Sequence, residues 1–137
     1  QGRGPREQDV RCSDFRFDNQ HLEIGARGDL PPDFPGTTCL DFMHEEVREE
    51  RFALIQEVLD HYPVDGFELQ LNYQPHYFHP ASLAKGRKLM TAWIERVYRA
   101  VKRSGVEREL VIRVPASCRD SPLAGRPARK VRIASMP

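Results

Sequence analysis

Between Thr38 and Val114 the sequence alternates between strand-like and helix-like hydrophobic periodicity, and this alternation constrains the fold more than any other feature. Thr38-Cys39-Leu40-Asp41-Phe42 is a short β-favourable run. From Glu45 to Tyr62 the period becomes helical. Val47, Phe52, Leu54, Ile55, Val58, Leu59 and Tyr62 form an apolar stripe, and Glu45, Glu46, Arg48, Glu49, Glu50 and Glu57 fill the other side. Pro63 stops the helix and Asp65-Gly66 supplies a turn. In the following run Phe67, Leu69 and Leu71 share one strand face, and Glu68 and Gln70 share the other. A polar, aromatic loop leads to Pro80, which suits a helix start because its missing N–H does no harm there. The second helix carries Leu83, Leu89, Met90, Trp93, Ile94, Val97 and Val101 on one side as far as Ser104, with Gly105 as its C′ residue. Glu109 to Val114 is a third strand, closed by Pro115.

Strand, helix, strand, helix, strand in this order predicts an α/β fold with parallel strands, a βαβαβ segment over residues 38–115. The flanks are different. Residues 1–37 read as an irregular N-terminal segment, since the prolines of Leu30-Pro31-Pro32-Asp33-Phe34-Pro35-Gly36 remove backbone donors and restrict their neighbours. Residues 116–137 read as a disordered basic tail in which Arg119, Arg126, Arg129, Lys130 and Arg132 outnumber Asp120.

Composition removes several function classes. Lys and Arg total 21 against 20 acidic residues, so no overall positive field draws nucleic acid or an anionic membrane. The longest apolar runs fall far short of the roughly 20 residues a bilayer requires. Cys12, Cys39 and Cys118 are odd in number and widely spaced, and supply no disulfide framework. His76 and His79 form an HxxH pair in a loop with no third ligand in view, so no metal and no cofactor is expected.

A βαβαβ segment belongs either to an open doubly wound sheet or to an eight-stranded βα barrel, and in both the ligand sits at the carboxyl ends of the strands. A full barrel takes about 250 residues. A chain of 137 therefore has an open sheet or is a fragment of a TIM-type barrel. Asp41 ends the first strand, Glu68 and Gln70 lie in the second, Asn72 and Tyr73 follow it, and Arg113 is near the end of the third. Paired carboxylates about 5 to 9.5 Å apart perform glycoside hydrolysis. Glu68 and Asp41 are the catalytic candidates on this reading. The structural alternative pairs Glu68 with Arg113 or has it cap a helix. Gln70, Asn72, Tyr73, His44, His76 and Arg113 are the candidate substrate-binding residues, with Tyr77 and Phe78 as further aromatics able to stack on a sugar.

The runs Cys39-Leu40-Asp41-Phe42-Met43-His44-Glu45-Glu46-Val47-Arg48, Leu54-Ile55-Gln56-Glu57-Val58-Leu59 and Val64-Asp65-Gly66-Phe67-Glu68-Leu69 resemble bacterial glycoside-hydrolase-like barrel proteins. In these an LDFxxxEVR segment opens a helix and DGxELD forms the next strand. Ile112-Arg113-Val114-Pro115 is similar to the strand that follows. The resemblance covers roughly Thr38 to Pro115. It implies a carbohydrate partner, and either hydrolysis of a glycosidic bond or glycan binding by strand-end carboxylates. Gln70 stands where the family pattern has an acid, which weighs toward binding. As a barrel fragment the chain is expected to self-associate through exposed sheet edges. The alternatives are a non-enzymatic α/β interaction module whose basic tail contacts an acidic partner, or a truncated, inactive gene product.

Overall fold

The computed structural model describes residues 13–115 and 128–133. In chain order these form α1 (Asp14–Asp18), a 3-10 turn (Gln20–Leu22), α2 (Glu45–His61), β1 (Gly66–Gln70), a second 3-10 turn (Pro80–Ser82), α3 (Leu83–Ser104), β2 (Glu109–Pro115) and β3 (Ala128–Ile133). The strand order is β1-β2-β3. β1 and β2 are parallel, with Glu68 opposite Val111 and Gln70 opposite Arg113. The α/β character of the sequence is thus present as a β1–α3–β2 unit.

The helices form where the period placed them. α2 runs from a Glu-rich first turn, favourable at the positive end of the helix dipole, to His61, and the chain leaves it through Tyr62 and Pro63. Val47, Ile55 and Leu59 are its buried residues. α3 buries Gly86, Trp93, Val97, Ala100 and Val101. Gly105 caps α3 in extended backbone, φ 176°, so the left-handed turn expected of a C′ glycine is not used. A Cβ at Gly86 would lie 2.5 Å from the Phe78 ring, so the glycine is what lets that ring lie against the helix.

Strand alternation then divides the sheet. Leu69, Leu110 and Ile112 join the helices' apolar residues in one core, with Phe67, Leu71 and Val114 packed against it. Each fully buried aliphatic side chain contributes about 1.5–3 kcal/mol. Glu68, Gln70 and Arg113, at alternate positions, belong to the opposite face. Trp93 ties the helices together by donating its indole N–H to the Arg48 carbonyl at 3.1 Å, while Phe42 meets both Trp93 and Tyr77 edge to face.

Two expectations need correction. Thr38–Phe42 is not a parallel strand beside β1. The Ile24 amide donates to the Cys39 carbonyl at 2.9 Å, the Asp41 amide donates to the Leu22 carbonyl at 2.9 Å, and Gly25 donates to Thr37 at 2.8 Å. This run therefore finds its partners in the segment just before the proline-rich loop, through one antiparallel bridge, Glu23 to Leu40. The second correction falls in the basic tail. Residues 128–133 are β3, antiparallel to β2, with Val131 opposite Ile112 and Ile133 opposite Leu110. A six-residue strand whose stability rests on a distant partner has no signature in isolation. The expectations for residues 1–12, 116–127 and 134–137 lie outside the described residues.

Candidate functional site

At the carboxyl ends of β1 and β2 the structure brings three of the candidate residues together. Arg113 Nη2 lies 2.8 Å from Glu68 Oε1. Gln70 Nε2 donates to the same carboxylate oxygen at 3.1 Å. The parallel register causes this, because Gln70 sits opposite Arg113 and Glu68 lies two residues back on the same face. Both charged side chains keep partial solvent contact, which avoids the desolvation cost of a fully buried pair. Glu68 is thus held in an ion pair with Arg113, the non-catalytic role its position also allowed. In the loop after β1 Asn72 Oδ1 and Gln74 Oε1 are buried with no hydrogen-bond partner among the described residues, as is Arg113 Nε on β2.

Asp41, expected beside Glu68, belongs to a different network. It is 5% exposed. Its Oδ1 accepts from the Met43 amide at 2.8 Å and its Oδ2 from the His79 amide at 3.4 Å. The carboxylate thus holds the entry to α2 against the loop before α3, the short-range turn chemistry Asp commonly performs. No partner in this set is shared with Glu68.

The histidines also sort by their partners. His44 is the N-cap residue of α2 and makes no side-chain cap bond. His79 is buried, with Nε2 3.0 Å from Asp29 Oδ1 and Nδ1 accepting from the Ala81 amide at 3.2 Å. An Nδ1 that accepts from an amide fixes the proton on Nε2, which then donates to Asp29. Both ring nitrogens are thereby occupied. His76 stacks on Phe34 at 4.8 Å between centroids, and burial lowers its pKa. Among the described residues no group of three His, Cys, Asp or Glu is placed to hold a metal ion, and no helix is long and apolar enough to cross a membrane.

Of the loop aromatics, Tyr73 is 73% exposed beside the strand ends. Phe78 is buried in the core, where it reaches no ligand. Tyr77 donates its hydroxyl to the Gln70 carbonyl at 3.2 Å, and burial together with nearby Cys39 pushes its pKa up to about 12. It also lines a cleft of about 330 Å³ between α2 and β1, with Leu54, Phe67, Gln70, Gln74 and Trp93. Gln74 is the residue sequence reasoning missed. A lone glutamine in a polar loop gives no signal, and only the closing of that loop against β1 sets it beside Gln70.

No protein-family model matches the chain, and no curated protein is similar to it.

Proposed function

We propose that the polar sheet face at the carboxyl ends of β1 and β2 binds a carbohydrate without hydrolysing it. The observation that carries this reading is the Glu68–Arg113 pair at 2.8 Å with the Gln70 amide on the same oxygen. Sugar hydroxyls donate and accept at once. A carboxylate supplies acceptors, a guanidinium supplies donors, and the primary amide supplies both. Exposed Tyr73 offers a ring face for stacking. The position agrees with the place where parallel α/β sheets hold ligands.

Binding is favoured over cleavage because hydrolysis needs a second carboxylate. Asp41 spends its oxygens on the amides of Met43 and His79. The position two residues after Glu68 is an amide, Gln70. The finer architectural reading, a fragment of a βα barrel, rests on the β1–α3–β2 unit. The antiparallel β3 favours the open sheet instead.

Titration of the full chain with a panel of mono- and oligosaccharides, followed by amide chemical-shift changes, tests the proposal. At least one sugar perturbs the amides of residues 68–73 and 113, and Arg113→Met weakens it about tenfold or more, the value of a hydrogen bond from a charged group. The sugars that bind release no reducing ends on prolonged incubation. A folded protein that shifts with no member of the panel ends the reading.

A further inference from the structure

The pairing of β3 with β2 decides which basic residues of the tail share the strand-end face. Residues directly opposite one another on paired strands lie on the same face of the sheet, and the face alternates along each strand. Register sets Arg113 between Gln70 on β1 and Lys130 on β3, and sets Val111 between Glu68 and Arg132. Positions 130 and 132 therefore belong to the face of Glu68, Gln70 and Arg113, whereas positions 131 and 133 belong to the core face with Ile112 and Leu110. These two rungs hold Arg113, Lys130 and Arg132 against Glu68. One carboxylate does not offset three cations, and Glu68 already lies 2.8 Å from Arg113. Like charges directly opposite each other in an antiparallel ladder destabilise it, and Arg113 with Lys130 is such a pair. Charge on an outer strand keeps other chains from pairing with it, but charge of either sign does that. On this face of β3 it is of one sign.

We propose that the carbohydrate held on this face is an acidic one, whose carboxylate groups lie over β3 and whose hydroxyls lie over β1. This inference rests on the strand-end face being a carbohydrate site. On the β1 side Glu68 and Gln70 present acceptors and a primary amide to hydroxyls. Acid groups laid over β1 instead would meet the Glu68 carboxylate, so charge fixes the direction in which the ligand lies. Neighbouring strands are about 4.8 Å apart, so β1 to β3 spans about 10 Å, room for two linked sugar rings. An anion over β3 offsets the repulsion between positions 113 and 130, the place where the chain opposes itself. The net charge of +1 gives the whole chain no long-range attraction for anions, so selection falls to this local group.

Titration of the full chain with trigalacturonate and with its trimethyl ester, which keeps the rings and removes the charge, tests the inference through the amide shifts of residues 68–73 and 113. The acid binds about tenfold or more tightly than the ester, the value of a hydrogen bond between charged groups. The difference shrinks toward 1 M salt, where the Debye length falls to about 3 Å. Lys130→Gln with Arg132→Gln loses most of the preference for acid over ester. The comparison of acid with ester uses the wild type alone, so it decides the matter even where the double variant fails to fold. A wild-type chain that binds acid and ester alike, or binds a neutral sugar better than the acid, overturns the inference and leaves the carbohydrate reading standing. One that binds neither these nor any neutral sugar ends both. A folded double variant that keeps the full preference overturns the inference, as do inorganic sulfate or single-stranded DNA shifting the same amides at the affinity of the acid.

Discussion

Arg113 reaches across the parallel ladder to Glu68, 2.8 Å away, although its register partner is Gln70. The guanidinium, the carboxylate and the intervening amide form one polar group on the face of the sheet that the helices leave uncovered. Such a group is cheap to maintain at the surface and expensive to bury, and it lies at the end of the strands where a ligand has access.

A double-mutant cycle on Glu68→Gln and Arg113→Met, read by urea unfolding, gives a coupling energy of about 0.5–1 kcal/mol, the range of a partly exposed pair. A coupling of several kcal/mol would place the pair in a dry environment that its exposure does not show.

Asp41 contributes stability by joining the α2 entry to the His79 loop. Asp41→Ala lowers the unfolding free energy by about 1–2 kcal/mol, since two amides lose an acceptor at a buried position. Asp41→Asn, which keeps one carbonyl oxygen, loses less. Thermal unfolding of both variants checks the order. A neutral alanine variant would mean that the carboxylate does not hold this junction.

Gly86 is required by the Phe78 ring. Replacing it with Ala gains helix propensity but drives a methyl group to within 2.5–2.8 Å of ring carbons. Overpacking prevails, and Gly86→Ala destabilises by about 1–3 kcal/mol. Pairing it with Phe78→Leu recovers part of the loss.

His76 makes stability depend on pH in a defined direction. Burial lowers its pKa below the ordinary 6.5, so the folded state resists protonation more than the unfolded chain does. This contribution is fully present above 6.5 and is lost as pH falls from there through the folded-state value. Urea midpoints measured across that window fall for the wild type, and His76→Phe, which keeps the stack on Phe34, flattens this part of the profile.

What the sequence determined is local or strictly periodic. The stripe from Val47 to Leu59 specifies α2, the apolar face from Trp93 to Val101 specifies α3, and the apolar run Leu110-Val111-Ile112 specifies β2, because each pattern repeats at the period of the element it builds. Alternation along β1 likewise placed Glu68 and Gln70 together and opposite to Leu69. Tertiary structure decided what depends on a distant partner. Thr38–Phe42 has strand propensity, but its backbone groups pair with residues 22–24 and its Asp41 carboxylate turns to Met43 and His79. β3 exists because β2 offers an edge. Hydrophobic period is written into consecutive residues, whereas hydrogen-bond partnership between segments tens of residues apart is set by which chain comes close enough to satisfy a donor. The first is therefore read from the string and the second only from the fold.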